Sequence, residues 1–159
     1  MHLTIGAMHV PNQFTGRKPA FHEAVLRIAQ SWANKPAILI GDTNSGRIDV
    51  DEENPVFNKR TDRWFDDLAA AGWQDAFRHL HGSSREYTWY SPNHDNGFRL
   101  DQAFVNQHTC QGLLSFRHEW GASNTSGRRD ALSDHAAIIL DLDLDLDLDL
   151  DRDRRQTAL

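Results

Sequence analysis

Short apolar runs alternate with longer amphipathic ones along this chain. "LTIGAMHV" (3–10) has the length and composition of a strand, closed by Pro11-Asn12. Over 18–33, Phe21, Ala24, Val25, Ile28, Ala29 and Trp32 recur at helical spacing and predict an amphipathic helix. "AILI" (37–40) predicts a short buried strand that runs straight into Gly41, Asp42, Thr43 and Asn44. A polar, loop-like stretch covers 45–60, and "DRWFDDLAAAGW" predicts a helix from about Asp62 to near Gly72. "DAFRHLHG" (75–82) reads as a short helix or turn. "EYTWY" (86–90) and "FRLDQAFV" (98–105) read as strands paired across the turn "SPNHDNG" (91–97). "GLLSFRHEW" (112–120) reads as another strand. A loop then delivers Ser133-Asp134-His135 to a last strand from about Ala136 to Leu142. The order β-α-β-α-β-β-β-β suits helices packed on a sheet or sandwich, an α/β fold.

The chain ends in "DLDLDLDLDLD" (141–151), whose period of two is that of a strand. Aspartate is a poor strand former, and like charges on one face repel, so pairing is expected to stop near Leu142. Residues 1–142 therefore read as the domain and 143–159 as an acidic extension or tail. A calcium-binding strip is the sharper reading of the same run. A flat row of carboxylates, however, does not surround an ion as calcium requires.

Composition narrows the function classes. With 159 residues, 39% hydrophobic and 25% charged, one packed domain is expected. The formal charge is −6, but 141–159 hold seven Asp and three Arg, a net of −4, which leaves −2 for the rest. The body of the chain is thus compatible with an anionic substrate held locally or through a metal, and not with a broad basic patch. A single cysteine, Cys110, excludes an internal disulfide and a cysteine zinc site. No apolar run approaches the ~20 residues of a membrane span, and "MHLTIGAMHVPNQ" lacks the basic start of a signal peptide. A cytoplasmic setting is the expectation, with no membrane partner.

Three strands carry polar residues that a core does not need: "GDTN" (41–44), "RLD" (99–101) and "SDH" (133–135). Brought together, Asp42, Asn44, Asp101, Asp134 and His135 would combine three carboxylates, an amide and an imidazole. Such oxygens suit a hard ion, Mg²⁺ or Mn²⁺, and a carboxylate beside a histidine orients it and can hold it charged. Taken singly, "GDTN" is an ordinary turn and "SDH" an ordinary cap. Asp101 is harder to dismiss, because an unpaired buried carboxylate costs several kcal/mol, on the order of 2–7 for a polar group without a partner.

"ILIGDTN" (38–44), "YTWY" (87–90), "GFRLDQAFV" (97–105) and "LSDHAAIIL" (132–140), in this order, resemble the endonuclease/exonuclease/phosphatase superfamily. "MHVPN" (8–12) and "DAFR" (75–78) fall where that family has matching pieces, and the "YTW" and "GFRLD" pair is most similar to its exonuclease III and apurinic endonuclease branch. The resemblance implies a partial four-layered α/β sandwich of the DNase I-like kind and a divalent-metal-dependent phosphodiester hydrolase, a nuclease acting on DNA. It implies that Asp42 positions or deprotonates the attacking water, that Asn44 orients water and phosphate, and that His135, held by Asp101, contacts a phosphate oxygen. Asp134, with Asp42, would lie at the metal ion. His9 would contact phosphate or protonate the leaving group. Trp89, Phe98 and Leu100 would form the pocket for an abasic sugar, although a plain core fits the same three residues.

The family's domain begins well before the strand that matches "LTIGAMHV", with an early Asn and a later Glu that is its main metal ligand. None of Glu23, Glu52, Glu53, Glu86 and Glu119 lies in a matching motif. The expectation is therefore an incomplete sandwich with weakened metal affinity that dimerises, is unstable, or is completed by a missing N-terminal segment. An impaired fragment or phosphate-binding interaction module of a longer protein is the alternative reading.

Overall fold

A computed structural model describes residues 2–120 and 133–143. The expectations for the loop 121–132 and for the Asp-Leu run beyond Asp143 lie outside these residues.

The central sheet is built from β1 (Thr4–His9), β2 (Ala37–Asp42), β3 (Trp73–Asp75) and β6 (Asp101–Asn106) in the order β1-β2-β6-β3. Strands β1 and β2 are parallel and joined by α1 (Lys18–Ser31), while β6 runs antiparallel to both β2 and β3. Helix α1 and α2 (Lys59–Ala70) cover one face. There Val25, Ala29, Trp64, Phe65 and Leu68 meet Ala37, Leu39, Trp73 and Phe104. The other face carries Ile38, Ala103 and Val105, packed on α3 (Ala76–His81) and on the hairpin of β7 (Leu113–Glu119) and β8 (Ala137–Leu142). Alternate residues of β2 and β6 thus serve opposite layers, helices on one side and a second sheet on the other. This is a partial α/β sandwich, with no second helix layer among the described residues.

Several elements differ from the sequence reading, each for a local reason. Helix α2 begins at Lys59 rather than Asp62, because the Asn58 carboxamide accepts from Arg60 N and Thr61 N, both at 3.1 Å. β3, only three residues long, gave no pattern to read. "EYTWY" pairs only through β4 (Trp89–Tyr90) with β5 (Gly97–Phe98). The run 98–105, expected as one strand, breaks at Arg99-Leu100. Arg99 N bonds to the Asp51 carbonyl at 2.9 Å and Leu100 N to Thr88 Oγ1 at 2.9 Å, so neither serves a regular ladder. A short α4 (Gln107–Cys110) follows β6.

Gly41 explains the glycine before Asp42. Its φ is +143°, and a Cβ there would sit 1.9 Å from the Met8 carbonyl oxygen of β1. Only glycine lets β1 approach this end of β2. Strand β1 lies at the open edge of the sheet, with Ile5 61% exposed.

Candidate active site

The register of β2 fixes the centre of the site. Asp42, its last residue, faces His9 on β1 and Asp101 on β6. The chain then turns sharply through Asn44, whose φ is +45°. The turn folds Asn44 back, so that its N–H donates to Asp42 Oδ1 at 2.7 Å and its Nδ2 to Asp42 Oδ2 at 2.9 Å. Nδ2 also donates to the Val10 carbonyl at 2.8 Å, which leaves Oδ1 as the amide's remaining acceptor. His9 Nε2 lies 3.4 Å from Asp42 Oδ2 on an exposed side chain.

Asp101 reaches His135, which precedes β8, through a 2.8 Å contact between Oδ2 and Nδ1. That hydrogen bond, opposed by partial burial and helped by the charges of Asp101, Asp42 and Asp134, holds the imidazole pKa above its ordinary value. Burial pushes the Asp42 carboxyl up, the Asn44 N–H pulls it down, and the charge of Asp101 raises it again, for a net rise.

Asp42, Asp101 and His135 each offer an atom within 4.8 Å of the others. Two hard carboxylates with free lone pairs and mutual repulsion fit a divalent cation, which would relieve the strain between them. Asp134, expected as the second metal carboxylate, is not part of this group; its Oδ2 accepts from the Trp89 indole N–H at 3.0 Å.

A cavity of about 280 Å³ opens beside the group. Asn44 forms part of its wall, and Trp89, Phe98 and Leu100 line it with Val56 and Phe57. The Trp89 ring lies 6.2 Å from that of His135 and 5.9 Å from that of Phe98. The three apolar residues are thus walls of a hollow next to the acid–imidazole group, although Phe98 and Leu100 are also largely buried. Lys18, at the start of α1, lines the same cavity and donates to the Asn44 carbonyl. Sequence reading passed over Lys18; the one hint was a lysine before Pro19 at a helix start.

A buried ionic core supports this arrangement. Arg99, fully buried, reaches Asp51 Oδ1 at 2.7 Å and Asp75 Oδ1 at 3.2 Å, and Arg78 also pairs with Asp51. Burial alone would raise Asp51, but the two guanidinium groups hold it below its usual range, while the carboxylates raise Arg99.

The sheet topology, the helix layer on one face and the second sheet on the other can be compared with solved structures. The match to an AP endonuclease from Archaeoglobus fulgidus has a TM-score of 0.74, at 18% identity over 89% of this chain and 62% of that one. The chain shares the DNase I-like α/β fold of that protein. Two further solved structures superpose similarly. One is the 3′-5′ exonuclease NExo from Neisseria meningitidis, with a TM-score of 0.71 and 20% identity over 87% of this chain and 60% of that one. The other is a 3′ phosphatase NExo variant from Neisseria bound to a product DNA hairpin, with a TM-score of 0.70 and 21% identity over 81% and 54%. In sequence, the chain is 28% identical over 129 residues to an exodeoxyribonuclease of two Streptococcus pneumoniae strains, TIGR4 and R6. That match covers 72% of this chain and 44% of those relatives, so the chain spans less than half of their length. No family model matches the sequence. Among the described residues, no helix is long and apolar enough to cross a membrane.

Proposed function

We propose that this chain acts as a divalent-metal-dependent phosphodiester hydrolase on DNA, in the manner of exonuclease III and the AP endonucleases. The approach of Asp42, Asp101 and His135 to within 4.8 Å of one another, from three separate strand ends, carries the reading. The exodeoxyribonuclease relatives and the DNA-bound neighbour support DNA as the substrate. A bound Mg²⁺ or Mn²⁺ would supply positive charge to the phosphate and acidify a water. Asp42 with Asp101 offers the oxygens to hold it, and Asp134 is the further carboxylate proposed from the sequence.

The remaining work falls to the chain. Asp42 accepts the proton of the attacking water, and the free Oδ1 of Asn44 fixes that water's direction. His135, kept protonated by Asp101, donates to a non-bridging phosphate oxygen as charge develops there. His9, exposed beside Asp42, is placed to protonate the leaving oxygen. The cavity of Trp89, Phe98 and Leu100 receives the adjoining sugar.

A catalytically impaired, phosphate-binding module is the second reading, and one observation favours it. Among the described residues no glutamate joins the acidic group. Glu52 is engaged by Phe57 N at 2.7 Å, Glu53 by Gly97 N at 3.0 Å, Glu86 by His118 and Glu119 by Arg117. For assembly, the open edge of β1 is proposed to be covered by a second copy or by a further segment of a longer protein. A concentration-dependent mass in light scattering would support the second copy.

The deciding assay is hydrolysis of an abasic-site duplex and of bis(p-nitrophenyl)phosphate, with Mg²⁺ or Mn²⁺ against EDTA. Metal-dependent turnover that disappears in Asp42→Ala and His135→Ala is the expected result. Turnover unchanged in both variants would refute the assignment, and metal-independent phosphate binding without turnover would favour the module.

A further inference from the structure

We infer that Thr88 is the positioning residue of the Asp101–His135 couple, holding both members at once. The inference rests on the proposed hydrolase reading for its kinetic consequence, but not for its geometry. Thr88 is fully buried, and its hydroxyl oxygen accepts two successive backbone N–H groups, Leu100 N at 2.9 Å and Asp101 N at 3.0 Å. These are the amides released where β5 gives way to β6, so the hydroxyl stands in for the missing ladder partners. The other side of the same segment is pinned by Thr43 N, which donates to the Leu100 carbonyl at 2.8 Å. The Thr88 carbonyl meanwhile accepts from Ala136 N at 2.9 Å, and so anchors the residue next to His135. One residue therefore sets the backbone of the carboxylate through its side chain and that of the imidazole through its main chain. Its hydrogen bonds run to backbone groups and not to the Asp101 carboxylate or the His135 ring.

Valine in its place would keep the shape and the carbonyl but leave two buried amides without an acceptor, and relaxing them moves the Asp101 backbone. A displacement of about 1 Å at a catalytic group costs on the order of a hundredfold in rate.

The test compares Thr88→Val with Thr88→Ser, which retains the hydroxyl. In the substrate-free protein, the Nδ1 proton of His135 is followed by NMR, together with amide exchange at Leu100 and Asp101. The expected result is loss of the downfield Nδ1 signal and accelerated exchange in Thr88→Val, with both retained in Thr88→Ser. In the hydrolysis assay kcat falls about tenfold to a hundredfold in Thr88→Val with KM nearly unchanged, and Thr88→Ser stays within about threefold of the parent. Should Thr88→Val not fold, Thr88→Cys, a poor acceptor close to serine in size, takes its place in the same comparison. An unaltered Nδ1 signal in the hydroxyl-free variant, or equal loss in Thr88→Ser, overturns the inference. A parent protein without turnover would defeat the hydrolase reading alone, because the imidazole measurement needs no substrate.

Discussion

Asp42, Asn44 and His135 gain their chemistry from neighbours rather than from residue type. Asp42 sits half-buried against Asp101 with its carboxyl raised, and His135 leans on Asp101 with its imidazole raised. The proposed mechanism needs Asp42 ionised and His135 protonated. Activity should therefore fall as pH drops through the raised Asp42 value, and fall again as pH rises through a His135 value above the usual ~6.5. Asp101→Asn removes the group that favours the imidazolium, so the alkaline fall should move to lower pH, with kcat reduced about a hundredfold; a pH–rate profile reads both. Trp89→Ala and Phe98→Ala remove walls of the cavity, and should raise KM more than they lower kcat on an abasic duplex. The polar strand ends were legible as candidate residues because a core strand has no use for them. Thr88 and Lys18 were not, since a threonine in an aromatic strand and a lysine at a helix start have ordinary explanations.

At the scale of elements, the period of the apolar residues marked α1, α2, β1, β2 and β8 to within a few residues. It missed where the pattern is overruled by a side chain. "FRLDQAFV" alternates like one strand, yet Arg99 turns inward to Asp51 and Asp75 and breaks it, and no local signal links residues so far apart in sequence. β3 was too short for any period to appear. The ionic core is therefore a specific test of the element-level account. Arg99→Met leaves Asp75 with the Arg78 backbone N–H but no guanidinium and Asp51 with only one guanidinium, and should cost about 3–5 kcal/mol in urea unfolding. Gly41→Ala forces a Cβ onto the Met8 carbonyl and should lower the thermal midpoint by separating β1 from β2.

Across the whole molecule, acid and metal should act on stability in opposite directions. His22 is stacked on Trp64 with ring centroids 4.2 Å apart, and its Nε2 lies 3.2 Å from Ser45 Oγ. Burial, then the charges of Lys18 and Arg60, lower its pKa to about 4. The unfolded chain takes up this proton near pH ~6.5 while the folded one resists it, so stability is lost as pH falls from that value toward about 4. His22→Gln should flatten that part of the curve in chemical denaturation at a series of pH values. Mn²⁺ should raise the thermal midpoint of the parent and EDTA reverse it, with no shift in Asp42→Ala.

The order in which the three acidic and imidazole contributors enter the chain has a kinetic consequence. Asp42 stands at the end of β2, Asp101 opens β6 far downstream, and His135 arrives only with β8. Two long loop closures must occur before they share one hollow, and such non-local pairings form late and slowly in folding. On the proposed hydrolase reading, a nascent chain that has not yet released its final hairpin strand would lack the imidazole that the reaction needs. On that reading, the three side chains come together only when β8 docks on β7.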